Sequence, residues 1–312
     1  MTEAFEHLLP AFLFVLGLAL GSFLNVCIYR LPRGLSVVRP RSACPACGAA
    51  ISARDNIPVL SWILLGGRCR NCKARISPRY AVVELLAALL FLVCYHTFGP
   101  TLATLKYSVF GLLLLGLIFA DAETKLLPDK LTLPGMALGF VFSLFIPVDG
   151  FVAWLLPGLV PAELGSELAW RLQSLADSLL GAAVGASFLY GAGALYLRAR
   201  GVEGMGFGDV KLMGMIGAFL GVRLTILTLF AASLAGAMFG VGTMLAVWVR
   251  RARRNQARGR EPAADARRRA WQSAKLVYRH YEMPFGVFLG SMALVAVFLG
   301  DAFLRWYMGR YS

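Results

Sequence analysis

Apolar residues along this chain are gathered into long runs, at about 8–28, 80–98, 102–120, 131–147, 176–198, 208–222, 224–249 and 284–304, with short polar or basic intervals between them. An α-helix needs roughly 20 apolar residues to cross the hydrocarbon core of a bilayer, where the backbone has no water to bond to and must satisfy itself. The runs therefore predict an all-α polytopic membrane protein with about eight transmembrane helices. The sixth run is short and Gly-rich. Composition agrees: hydrophobic residues make up 58% of the chain and charged residues 15%, which is unlike a soluble globular domain. On its amino side the first run, within residues 1–29, is flanked by Glu3, Glu6 and His7 and by no Lys or Arg. A secretory signal begins with a basic segment, so this run reads as a retained first helix with its amino end outside.

Charge then orients the helices. The formal net charge is +14, and Arg and Lys crowd into residues 30–79 and 250–279, with smaller groups at 125–130 and 198–211. The intervals near 99–101, 148–170 and 222–223 hold few. Basic segments stay in the cytoplasm, and eight spans starting from outside put all four on that side. Topology and anionic lipid headgroups thus account for the basic balance, and no nucleic-acid partner is expected. The segment 250–282 is basic and Ala-rich. It reads as a surface amphipathic helix or as a partly disordered tether.

Between the first two helices lies the one sizeable soluble insert, within residues 30–79. It carries Cys44-Pro-Ala-Cys47 and Cys69-Arg-Asn-Cys72, two Cys-x-x-Cys knuckles separated by 21 residues. Four thiolates at this spacing suit tetrahedral Zn2+, and the cytoplasmic placement argues against disulfides. A segment with so few large apolar residues needs such a staple to fold, and four protein ligands leave no open position for catalysis. Residues 30–79 are accordingly expected to be a zinc-ribbon-like domain whose zinc is structural. Cys27 and Cys94, inside apolar runs, read as core packing.

Two acidic stretches border apolar runs, and carboxylates beside a bilayer are read first as functional. Asp121 follows the third run in Asp121-Ala-Glu123-Thr-Lys-Leu-Leu-Pro-Asp129, and Asp209 opens the sixth in Gly204-Met-Gly206-Phe-Gly208-Asp209-Val-Lys211. Both lie at the cytoplasmic end, so they are at matching depth. Two adjacent carboxyl groups share a proton, so that one activates water while the other polarises a scissile carbonyl. Gly206 and Gly208 would let an extended substrate come close and would permit unusual backbone dihedrals. Asp129, next to Pro128, reads as a helix cap. Asn25 reads either as an interhelical hydrogen bond or as a functional contact. Glu84 partners the helix dipole, or faces a cofactor or the insert. The chain has no Gly-x-Ser-x-Gly elbow, its three histidines lack ligand spacing, and no strand precedes the alternating glycines.

Gly-Ser-Phe-Leu-Asn-Val at 21–26, the paired knuckles, Asn-Ile-Pro-Val-Leu-Ser-Trp at 56–62, Arg79-Tyr80 with Glu84, Asp121 through Leu127-Pro128-Asp129, and Gly-Phe-Gly-Asp-Val-Lys at 206–211 come in this order along nearly the whole chain. In this the sequence resembles the bacterial type IV prepilin peptidases, bifunctional leader peptidases and N-methyltransferases of the GxGD aspartyl class. The resemblance implies cleavage of the basic leader of prepilins and pseudopilins after a glycine, at the cytoplasmic face of the inner membrane. It also implies methylation of the new amino terminus with S-adenosylmethionine. Asp121 and Asp209 would carry proteolysis in an aspartyl protease core spanning 80–312, and the zinc insert would belong with methyl transfer. No residue is assigned to S-adenosylmethionine. A basic leader would seek acidic groups, and Glu123 and Asp129 stand near the first aspartate in sequence. Two other classes compete. One is a multi-span transporter or scaffold with a zinc-ribbon docking domain, which leaves the paired acids unexplained. The other is a different GxGD membrane protease, which leaves the zinc insert unexplained.

Overall fold

The computed structural model describes residues 2–148, 150–156, 165–202, 204–257, 263–279 and 283–309. Along these the chain forms α1 (Thr2–Arg30), α2 (Leu60–Leu64), α3 (Arg79–Phe98), α4 (Leu102–Thr124), α5 (Asp129–Ser143), α6 (Phe151–Leu155), α7 (Ser166–Arg200), α8 (Phe207–Ala257), α9 (Ala263–Arg279), α10 (Phe285–Val295) and α11 (Asp301–Met308). A single π turn joins α10 to α11. Among the described residues the only extended pairings are two isolated bridges, Ala43 with Ala50 and Arg68 with Arg75, each closing one Cys-x-x-Cys knuckle on itself.

Among the described residues, six stretches are long and apolar enough to cross a membrane: Leu8–Arg33, Arg79–Phe98, Leu102–Thr124, Ser166–Arg200, Phe207–Gln256 and Phe285–Tyr307. The eight apolar runs map onto these with two differences. The run at 131–147 becomes α5, whose 15 residues rise only about 22 Å at 1.5 Å each. The runs at 208–222 and 224–249 are both parts of α8, which breaks at Gly221 (φ 74°, ψ −173°). Contacts on either side of the break reveal that the chain turns back there. Gly185 of α7 faces both Met213 and Thr225, Gly300 faces Leu224, and Gly236 faces Phe285. α8 is therefore a hairpin of two arms, and Gly221 supplies the positive φ that the reversal needs.

Lipid offers little hydrophobic drive between helices, so they associate where small residues let backbones touch. A Cβ added to Gly217 would run into the backbone of Gly181, and one added to Gly181 would lie 2.7 Å from the carbonyl carbon of Gly221. α1 meets α3 in the same way, since a Cβ on Gly21 would lie 2.7 Å from the Cα of Glu84. Asn25 adds a polar link between α1 and α3, its Nδ2 donating to the carbonyl of Tyr80 at 3.0 Å. The first arm of α8 occupies the centre, where Phe219 stacks on Phe110 of α4 at 4.4 Å. Cys27 and Cys94 are buried among apolar neighbours, in agreement with their reading as core.

The long connection at 148–175 is tied down where it is described. Val148 N–H donates to Ser174 Oγ at 3.0 Å, and Val152 N–H, in α6, donates to Asp177 Oδ1 at 2.7 Å. Trp154 there is exposed and Trp170 partly so, as residues of an outer interface would be. Residues 149 and 157–164 of this connection lie outside the described residues. In the basic segment 250–282, residues 250–257 continue α8 and 263–279 form α9, while 258–262 and 280–282 lie outside the described residues. Trp271 of α9 meets Trp248 edge-on at 6.0 Å, and Trp248 Nε1 donates to the carbonyl of Arg267 at 3.2 Å. Of the two readings of this segment, the described part is a helix packed on α8.

Backbone contact at Gly217 should be intolerant of a single methyl group. Gly217→Ala is expected to lower the detergent melting temperature by several degrees, the size of a typical overpacking penalty of roughly 1–3 kcal/mol. Gly242→Ala, where an added Cβ meets nothing within 4 Å, should leave it unchanged or raise it slightly.

Candidate active site and metal centre

Asp121 lies in the last turn of α4 and Asp209 in the first turn of α8, and both are buried, at 4% and 9% exposure. The segments that carry them meet at Leu127, which packs on Gly208 next to Asp209 and on Gly286, whose other neighbour is Asp121 Oδ2. Helix ends bring them together. Lys125 takes a left-handed conformation and donates its N–H to the carbonyl of Asp121 at 2.9 Å, which closes α4. At the start of α8, Asp209 donates its N–H to the carbonyl of Gly206 at 3.1 Å.

A third helix completes the site. The N–H of Val287, in the first turn of α10, donates to Asp121 Oδ2 at 3.0 Å. Such first-turn N–H groups have no partner within their own helix and carry the positive end of its dipole. The approach depends on Gly286, because a Cβ there would lie 2.9 Å from Asp121 Oδ2. Sequence reasoning assigned Gly286 no role. Its only signal was a small residue just after Pro284, at the entry to the last apolar run.

The two glycines before Asp209 act through space and not through dihedrals, since neither has a positive φ. A Cβ on Gly208 would lie 3.0 Å from Cβ of Leu127, so the loop that follows Asp121 packs directly on the start of α8. Gly206 is open: a Cβ there would find Asp209 Oδ2 at 3.9 Å and little else.

The neighbouring acids are engaged within the protein. Glu123 pairs with Arg79 at the start of α3. Asp129, in the first turn of α5, receives Lys211 Nζ on both carboxylate oxygens at 2.7 Å. The cap position of α5 is Pro128 and no side chain caps the helix, so Asp129 is not the expected cap but a first-turn acid, and it is half of an ion pair that the sequence did not reveal.

The insert holds a second cluster. The sulfurs of Cys44, Cys47, Cys69 and Cys72 all lie within 4.8 Å of one another, and the Cys44 and Cys72 sulfurs are 3.8 Å apart. Tetrahedral zinc with Zn–S bonds of about 2.3 Å places its ligand sulfurs ~3.8 Å apart, so the donor set fits this ion. Backbone N–H groups of Cys47 and Ala46 pull the Cys44 thiol below its usual range, while burial and the three neighbouring sulfurs push the Cys72 thiol up to about 11, so it is the spacing of the donors that argues for the ion. Around the knuckles, Arg70 grips Asp55 with Nε and Nη2, holding that carboxyl below its usual range, and Trp62 Nε1 donates to the carbonyl of Ile76 at 3.2 Å. Glu84 anchors the insert to the helices, accepting the N–H of Val59 at 2.7 Å. Of the readings open for Glu84, the structure selects the one that faces the insert. Val59 has φ 59°, unusual for a β-branched residue.

Two grooves flank the insert. One of about 510 Å³ is lined by Trp62, Gly67, Arg68 and Arg75, and one of about 390 Å³ by Phe23, Arg30, Val38, Arg41 and Asn56. Both have room for a nucleoside-sized ligand. Neither is lined by a carboxylate that could receive the ammonium and ribose hydroxyls of S-adenosylmethionine, so their residues do not form a cradle for that donor.

Comparison with known proteins finds two family models, one after the other along the chain. The bacterial peptidase A24 N-terminal domain matches residues 15–98, which hold α1, the four cysteines and α3. The type IV leader peptidase family matches residues 108–241, which hold Asp121 and Asp209. The chain is similar to the prepilin leader peptidase/N-methyltransferase of Aeromonas salmonicida, 34% identical over 320 residues that cover 95% of this chain and 92% of the relative. The protein of that name from Myxococcus xanthus is 40% identical over 266 residues, 84% of this chain and 71% of the relative. That from Neisseria gonorrhoeae is 36% identical over 246 residues, 71% and 78% of the two chains. No solved structure matches. With two adjoining family models and relatives matched over most of their length, this chain belongs to the type IV leader peptidase family.

Proposed function

We propose that this protein cleaves the leader from prepilins or pseudopilins with an Asp121–Asp209 dyad and N-methylates the new amino terminus. The observation that carries the reading is the convergence of two buried carboxyl groups, from α4 and α8, beside the open edge at Gly206. It is supported by relatives that are named for both activities.

In the proteolytic step, the dyad holds one proton between its two carboxyl groups. The ionised member takes a proton from water as the water oxygen attacks the scissile carbonyl carbon. The protonated member donates to the carbonyl oxygen, and the proton taken from water passes to the leaving amine as the C–N bond breaks, while the re-forming carbonyl returns its proton to the dyad. Val287 N–H keeps the Asp121 carboxyl in place, and Gly206 leaves room for substrate in extended form. The dyad needs no metal for this chemistry. The cluster in the insert is a structural Zn2+ site, with Cys44, Cys47, Cys69 and Cys72 as ligands. S-adenosylmethionine would supply an electrophilic methyl group to the new amine, and no step through it is derived from these residues.

The insert and the dyad lie at one end of the helices, linked by the Arg79–Glu123 pair, and that end carries the basic intervals. By the positive-inside rule it faces the cytoplasm of the bacterial inner membrane. Thiol labelling of the insert in intact cells should then require a membrane-permeant reagent. Labelling by an impermeant one would reverse the topology.

Two measurements separate the activities. Asp121→Asn and Asp209→Asn should each lower cleavage of a prepilin peptide by about 10³-fold or more, while methylation of a pre-cleaved peptide persists. Full cleavage by either variant would remove that residue from the mechanism. Cys44→Ser and Cys72→Ser should lose bound zinc by elemental analysis and most methyl transfer, because the insert unfolds without its staple. Methylation that survives zinc loss would detach the insert from that step.

A further inference from the structure

Asp129 and Lys211 are eight and two residues from the aspartates of the dyad, and they lie on the two different segments that carry those aspartates. Lys211 Nζ sits 2.7 Å from each carboxylate oxygen of Asp129, and it also lies 5.1 Å from the centroid of the Phe207 ring. Between the ion pair and the dyad, Leu127 fills a slot that two glycines leave open. A Cβ on Gly208 would lie 3.0 Å from its Cβ, and a Cβ on Gly286 would lie 3.1 Å from its Cδ1. The segment from Asp121 to Asp129 is thus held against α8 at two successive points.

We propose that the Asp129–Lys211 ion pair is a positioning device for the dyad: it fixes the α4–α5 loop on the start of α8 and so sets where Asp121 stands relative to Asp209. This rests on the proteolytic reading above and adds residues that do not touch the scissile bond. It also replaces the idea that Asp129 recruits a basic leader, since its carboxylate already holds a cation from the protein itself. A partly exposed ion pair adds little to global stability. Its geometric effect is larger, because a misplacement of about 1 Å at a reacting group costs on the order of 10²-fold in rate. The two effects can therefore be separated experimentally.

The test uses the full-length protein in membranes with two prepilin peptides, one with a basic leader and one with a neutral leader. Asp129→Asn and Lys211→Met should each lower kcat by ~10-fold or more for both peptides, with KM and melting temperature little changed. The double variant should be no slower than the slower single one, because both remove the same link. Exchanging the charges, with Asp129→Lys and Lys211→Asp together, should recover part of kcat. Recovery should be incomplete, since a lysine in the first turn of α5 opposes the helix dipole. Three results would overturn the proposal: single variants within twofold of wild type, additive losses in the double variant, or a loss confined to KM for the basic leader. The last would return Asp129 to leader recognition. Wild-type protein that cleaves neither peptide would instead sink the proteolytic reading itself.

Discussion

A carboxyl group kept from water at the edge of a bilayer must receive its hydrogen bonds from protein, and the fold around Asp121 is arranged to meet that requirement. Its partner is the backbone N–H of Val287, a free donor at the start of α10. For that donor to reach the carboxyl, Gly286 must have no side chain, and α10 must enter at the depth where α4 ends. Asp209 reaches the same place from the start of α8, packed through Gly208 on the loop that leaves Asp121. Three helix termini are thus bound to one point, and the backbone contacts of α7 with α8 support it from behind.

The two halves of the chain contribute differently. The first pairs α1 with α3 through glycine contacts and Asn25, and carries an insert built on four sulfurs and a few polar anchors. The second is the helical core that holds the acids. The halves meet where Gly111 of α4 packs on Leu90 and Gly116 on Leu24, and, two residues past Asp121, through the Arg79–Glu123 pair.

Much of this was legible in the sequence. Four cysteines at paired spacing need only local turns to form their cluster, so spacing sufficed. Asp121 and Asp209 stood out because charge at the end of an apolar run is costly wherever the helix packs. The break between the runs at 208–222 and 224–249 was legible too, although nothing singled out Gly221 as the residue that turns the chain. Three points were not. α5 is too short to cross a membrane alone, yet its apolar run extends past its last helical residue. Glu84 could have faced lipid, cofactor or insert, and only the folded contact with Val59 chose among them. Gly286 looked like any glycine in a membrane helix, because its importance lies in an atom far away in the chain.

The sequence by itself determined the membrane class and the spacing of the four thiolates, and it singled out two carboxyl groups at the ends of apolar runs. All of these follow from composition, spacing and the cost of charge in lipid, which are local properties. Only the tertiary structure decided what those carboxyl groups touch. The partners that arrange the site are 44 residues apart for Arg79 and Glu123, 82 for Asp129 and Lys211, and 166 for Asp121 and Val287. No periodicity along the chain encodes such separations. They arise from how the helices pack, and the packing rests on where glycines let one backbone touch another.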